Sequence, residues 1–359
     1  MIDGDPVKDH TTVIAASSPG GRQAATASIL PMVFHRFRLF DVIFASPDPI
    51  ASNRRVCKRK RQSRMANAQN KPKGPEIGLR QAKRLSQSNP RERLEFIARG
   101  LPLILRSAEK FREAGDVIRD NFGREAAVLD GFATEEAAKI LILIDAVRCP
   151  PKLISSKLKS IVGSFYNHLA RLIYAEATSW RPTNLKELRS YVDTARRGHY
   201  IEGSVGEYIM PNDTLYDRES RLYVDIEAYQ DGTLTWNEPR EPVTYAFPFG
   251  RLPPTALRVA NAMEQVGMFT PAGLKAASDI WGSLEYKDDQ DHHDGEKLTK
   301  LMLEKLLAEG LPLPTAQQEH VTTLYEHWQI PMYNLDFALI PVSMDELMAA
   351  QERELWSTV

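Results

Sequence analysis

The sequence predicts a mainly α-helical protein: an antiparallel helical bundle with one small β-hairpin and a helical C-terminal region. Three observations carry that reading. Apolar residues recur at helical spacing through most of residues 91–197. One stretch, Leu222–Ala228, alternates apolar and polar positions, and Asp231-Gly232 then precedes Thr233–Trp236, the signal of a hairpin. Beyond a proline-rich connector, helix start and stop signals return and continue to the C-terminus.

Helical character begins with Arg91–Arg99 and Pro102–Asn121, where Ile97, Leu101, Ile104, Ala108, Phe111 and Ile118 form one stripe. Gly115 falls on that stripe and allows close approach of a second helix. Pro102 fits the first turn of the second piece, where its missing N–H is harmless. Phe122–Arg148 follows, with Phe122, Ala126, Leu129, Ala133, Ile140, Leu143, Ile144 and Val147 on one face. At about 100° per residue, Glu136 projects into the middle of that stripe, while Glu135 and Lys139 fall toward the polar side. A carboxylate on a core seam must be paired or hydrogen-bonded, so Glu136→Ala is expected to cost stability.

Cys149-Pro150-Pro151 ends that helix, and Lys152–Ser179 reads as a third long one. Its apolar arc holds Leu158, Ile161, Val162, Phe165, Leu169, Leu172 and Ile173. His168 lies at the edge of the arc, Arg171 one turn on toward the polar side, and Glu176 projects back onto it. The short link favours antiparallel packing, which would gather Glu136, His168, Arg171 and Glu176 into one neighbourhood. Leu185–Arg197 is a shorter helix, followed by Gly-containing loops and the hairpin. Pro239, Pro242, Pro248, Pro253 and Pro254 mark a stiff connector. Thr270-Pro271 is a cap followed by a first-turn proline, Glu296–Glu309 stops at Gly310, and Ser343–Glu346 has capping-box spacing before a last helix.

The near-neutral total charge hides an asymmetry. Residues 1–64 carry 11 Lys/Arg against 5 Asp/Glu, a net of +6, so the remainder carries −7. The excess sits in Arg54–Arg64, RRVCKRKRQSR, a run that binds phosphates or simply stays solvated. Residues 1–88 read as a basic, disordered tail; Met65 is a plausible start in its own right, making the first 64 residues an expected gene-model extension. The remaining divisions are a helical core at 89–205, hairpin and connector at 206–250, and a C-terminal helical region at 251–359 packed on the core.

Two cysteines, Cys57 and Cys149, supply neither a disulfide framework nor a complete structural zinc site, which suits a reducing cytoplasm. Pro31–Ser46 is too short and too charged to span a bilayer, and the opening lacks the order of a signal peptide. A cytoplasmic protein with no membrane partner is expected. No phosphate-cradling Gly-Lys-Ser/Thr loop, GxGxxG after a strand, or GxSxG elbow occurs. Asp288–Asp294, DDQDHHD, lacks the fixed spacing of a zinc helix motif and reads as a solvated acidic loop. No cofactor and no metal are expected.

The order of several segments resembles the abortive-infection family AbiV. These are GLPLILRSAEKFREAG, FATEEAAKILILIDA, FYNHLARLIYAEA and RESRLYVDIEAYQDGTLTW, then ALRVANAMEQVGMFTPAGL, DIW and WQIPMYNLDF. The resemblance covers about residues 91–359. It implies a bacterial phage-defence protein with a HEPN-like helical domain, an expected homodimer, with RNA or a phage or host protein as partner. HEPN ribonucleases usually carry an arginine and then a histidine with four to six residues between them; ahead of His168 those positions hold Ile161, Val162 and Gly163. His168 and Arg171 instead supply the two residue types in reverse order, one helical turn apart. The catalytic set expected is His168 as acid/base, Arg171 on developing charge and Glu136 orienting one of them. The rival expectation is a non-enzymatic protein that blocks a host or phage component by binding, which the −7 balance of residues 65–359 favours.

Overall fold

The computed structural model describes residues 81–357 except 204, 205, 207, 230, 231 and 243–251. These belong to one unit, Gly74–Val359. The basic run Arg54–Arg64, Met65 and Cys57 lie outside the described residues. The expected tail boundary at 88 moves back, because Ala82–Gln87 forms a 3₁₀ turn with Leu85 in the core. Ala82 N–H also donates to the Tyr166 hydroxyl at 2.9 Å.

The fold is mainly α, as the sequence predicts. Helix α1, Pro90–Ile118, is continuous rather than two pieces. Asn89 caps it by accepting from Glu92 N–H at 2.9 Å, and Pro90 occupies the first turn. Pro102 thus sits in the interior, where it removes one backbone hydrogen bond. The unbroken buried face of Ile97, Ala98, Leu101, Leu105 and Ala108 runs past it and outweighs that loss.

Helix α2, Gly123–Arg148, folds back against α1. Gly115 opens onto the backbone of Ala126 and the side chain of Leu129, so the two helices approach closely there. α2 is the centre of the molecule: every residue from Ile140 to Arg148 is buried. Helix α3, Pro151–Ser164, and helix α4, His168–Ala177, replace the single third helix expected. The chain turns at Phe165–Asn167, and the Asn167 side chain caps α4 by accepting from Ala170 N–H. Asn167 is a start signal that the continuous apolar periodicity concealed.

Helix α5, Leu185–Ala195, leads into a hairpin the sequence reading missed, β1 His199–Glu202 with β2 Tyr208–Pro211. Helix α6, Asp213–Leu222, fills what read as loop, capped by Asn212 accepting from Leu215 N–H at 2.9 Å. The expected hairpin follows as β3 Asp225–Ala228 and β4 Leu234–Asn237, with Ile226 opposite Trp236. Gly232 adopts a φ of 80° at its turn, a region open to glycine. Leu222 belongs to α6 rather than to the strand.

The C-terminal region comprises α7 Thr255–Gln265, α8 Pro271–Trp281, α9 His292–Ala308, α10 Gln318–His327 and α11 Met344–Ser357. Thr270 caps α8, accepting from Gly273 N–H, and Ser343 Oγ accepts from Glu346 N–H, as the spacing predicts. α9 begins four residues earlier than expected because Asp291 caps it. Helices α7 and α8 pack on α2, which closes the core around that helix. No helix among the described residues is long and apolar enough to cross a membrane.

Candidate functional site: a carboxylate shared by a histidine and two arginines

Helix α2 is enclosed by α1, α3, α4, α6, α7 and α8, so it has no single apolar stripe. That geometry overturns the projection of Glu136 onto the seam. Glu135 is the core-facing carboxylate, with only 5% of its side chain exposed. Glu136 is part-buried, with 20% of its side chain exposed, in an ion pair with Lys139, whose ammonium also sits 5.5 Å from the Phe165 ring centroid.

Three basic side chains converge on Glu135. His168 Nδ1 lies 2.7 Å from Oε2 and Arg171 Nη2 lies 3.0 Å from the same oxygen. Arg218, from α6, donates through Nε to Oε1 at 2.7 Å. Burial alone would raise the Glu135 carboxyl, but the His168 hydrogen bond, the Arg218 hydrogen bond and the two guanidinium charges hold it down at about 2. Glu135 is therefore a carboxylate at any physiological pH. Nδ1 of His168 also lies 2.8 Å from Arg171 Nη2, so the neutral ring donates to Glu135 in one tautomer and accepts from Arg171 in the other.

Placement at the first residue of α4 leaves His168 48% exposed while Arg171, one turn inward, is 9% exposed. Nε2 of His168 has no hydrogen-bond partner among the described residues. The arrangement is a buried carboxylate shared by a half-exposed histidine and two guanidinium groups.

Of the four residues expected in one neighbourhood, the structure joins His168 and Arg171 and separates the others. Glu176 bonds the Tyr191 hydroxyl at 2.7 Å and Thr214 at 3.3 Å instead. Arg218 and Glu135 were missed. The adjacent pair Glu135-Glu136 made either carboxylate eligible, and Asn212-Asp213 was a readable cap for the helix that carries Arg218. Cys149 is buried, and burial together with the nearby Asp145 charge pushes its thiol up to about 12, which removes it as a nucleophile.

A second polar cluster is structural. Asp145, fully buried, accepts from Arg148 Nε at 2.6 Å, the Tyr174 hydroxyl at 3.0 Å and Met332 N–H at 2.7 Å. The Arg148 guanidinium packs against both the Trp281 and Trp328 rings, 4.9 and 4.5 Å from their centroids. It also donates to Ile330 C=O at 3.3 Å, tying the segment after α10 to α2.

The fold is that of a mainly helical protein in which a buried carboxylate meets a half-exposed histidine and two arginines. Compared with known proteins, the chain matches no family model, no curated protein and no solved structure.

Proposed function

We propose that the protein is a cytoplasmic phage-defence effector that cleaves RNA, with the Glu135–His168–Arg171–Arg218 cluster as its active site. The observation that supports this most is a half-exposed histidine bonded to a buried carboxylate that two guanidinium groups also share. The segment-by-segment resemblance to AbiV proteins supplies the biological setting and a homodimeric assembly. His168 Nε2 takes the proton from a ribose 2′-hydroxyl, whose oxygen then bonds the adjacent phosphorus. The bond from phosphorus to the 5′-oxygen breaks, and that oxygen takes the proton back from His168. Arg171 and Arg218 stabilise the extra negative charge on the phosphoryl oxygens, while Glu135 holds the ring and acts through it.

Incubating the purified full-length protein with total RNA, wild type against His168→Ala, tests the reading. Loss of cleavage by a factor of roughly 10²–10⁴ is expected for the variant. Absence of cleavage by the wild type, with His168→Ala still protecting cells against phage, would overturn it.

A non-enzymatic reading has its own support. Tyr223, Ile226, Tyr229, Leu234 and Trp236 are all exposed on or beside the β3–β4 hairpin, an apolar display suited to docking a protein of the host or phage. On that reading Trp236→Ser abolishes protection and His168→Ala leaves it intact.

A further inference from the structure

The stretch Asp288–Asp294 contains more than a solvated acidic loop. Asp291 starts α9, which places His292 and His293 on its first turn and Glu296 one turn later. One potential ligand atom from each of these three residues lies within 4.8 Å of the others. His293 Nδ1 and Glu296 Oε2 are 3.0 Å apart. Bonds of about 2.1 Å to one ion put neighbouring ligand atoms roughly 3.0–3.5 Å apart, so that pair already has the required separation.

The surroundings of His292 give an independent indication. Its Nδ1 lies 3.2 Å from the Thr183 carbonyl oxygen, which only accepts, so the ring proton is on Nδ1. The lone pair is then on Nε2, free for coordination. A backbone carbonyl that takes the distal ring N–H and fixes the tautomer is the usual outer partner of a metal-bound histidine. Access is open as well, since His293 and Glu296 line a surface cleft shared with Lys297, Lys300 and Tyr325.

One group competes for the carboxylate. Arg181, in the loop between α4 and α5, forms an ion pair with Glu296 Oε1. A cation entering the site must share Glu296 with that guanidinium or displace it.

We propose that His292, His293 and Glu296 form a binding site for a divalent transition-metal ion of the zinc type, with Arg181 as an internal competitor for Glu296. Two imidazoles and one carboxylate suit zinc, cobalt or nickel and disfavour the hard cations magnesium and calcium. Three protein ligands leave at least one coordination position to solvent. The site is separate in composition from the Glu135 cluster and does not rest on the RNA-cleavage reading.

Titrating the untagged, full-length protein with Zn²⁺, and separately with Co²⁺ while recording visible absorption, tests the proposal. The wild type should bind one ion per chain through this site. His292→Ala, His293→Ala and Glu296→Gln should each weaken binding by roughly tenfold or more. Arg181→Ala should strengthen it, because the competing cation is gone. Circular dichroism of each variant confirms that the helix is intact, and Glu296→Gln keeps the side-chain volume. Binding that survives both histidine substitutions unchanged would overturn the site. So would the absence of binding in both wild type and Arg181→Ala, and an Arg181→Ala protein that binds no more tightly would overturn the competition.

Discussion

The distinction between Glu135 and Glu136 is one residue in sequence and a large difference in energy. Glu135→Ala leaves Arg171 and Arg218 without the carboxylate they share and should cost on the order of 3–5 kcal/mol. Glu136→Ala removes a single part-buried i,i+3 pair with Lys139 and should cost less than Glu135→Ala, which strands two guanidinium groups. Denaturant unfolding of the two variants measures both. Acid adds a second test. The Glu135 carboxyl is lowered from 4.5 to about 2 on folding, so the unfolded chain takes up its proton first as pH falls. Its stabilisation is complete above pH 4.5 and drains away as pH falls toward 2. Glu135→Gln should flatten that part of the Tm-against-pH curve, and an unchanged slope would refute the assignment. At this scale the sequence located His168 and Arg171 but not their partner, because a helical projection assumes one buried side. A helix surrounded by six others buries carboxylates at positions that projection places outside.

At the level of elements, the sequence named most helices and misplaced their ends. Periodicity runs without interruption through Lys152–Ser179, yet the chain breaks at Phe165–Asn167, where a local cap wins over a continuous stripe. That break sets His168 at a helix start, so the exposure of the histidine depends on Asn167. Asn167→Ala should destabilise α4 by about 1 kcal/mol. If the proposed chemistry is right, it should also lower RNA cleavage more than its stability cost explains. Periodicity did not reveal helix α6 or the β1–β2 hairpin because four-residue strands and a ten-residue polar helix carry too few apolar repeats. Packing between elements gives a sharper test. A Cβ at Gly295 would overlap the Gln329 carbonyl, and both belong to fixed backbone. Gly295→Ala should therefore force α9 away from the segment after α10 and lower Tm by several degrees, whereas Gly100→Ala, with open space around its Cα, should be neutral or stabilising.

For the molecule as a whole, composition and periodicity sufficed for the mainly α class, but not for which parts hold each other. The segment Ile330–Met332 is bonded to Asp145 and Arg148, more than 180 residues earlier in the chain. No local pattern encodes a contact of that range. Asp145→Ala leaves Arg148 buried without its carboxylate and should cost on the order of 3–5 kcal/mol, with release of the C-terminal segment. Limited proteolysis should then cut between α10 and α11 before it cuts α2. Wild-type-like resistance in that variant would show that the segment is held by its apolar contacts alone.

The two indoles against which Arg148 packs belong to parts of the chain nearly fifty positions apart, with ring centroids 5.0 Å from each other and planes inclined at 57°. Chromophores that close and that inclined share their electronic excitation, and the sharing appears as paired bands of opposite sign in circular dichroism. Neither tryptophan alone produces them. The native protein thus carries an optical gauge of whether Trp328 is seated against Trp281, and Trp281→Phe should erase the couplet while leaving the helical bands in place.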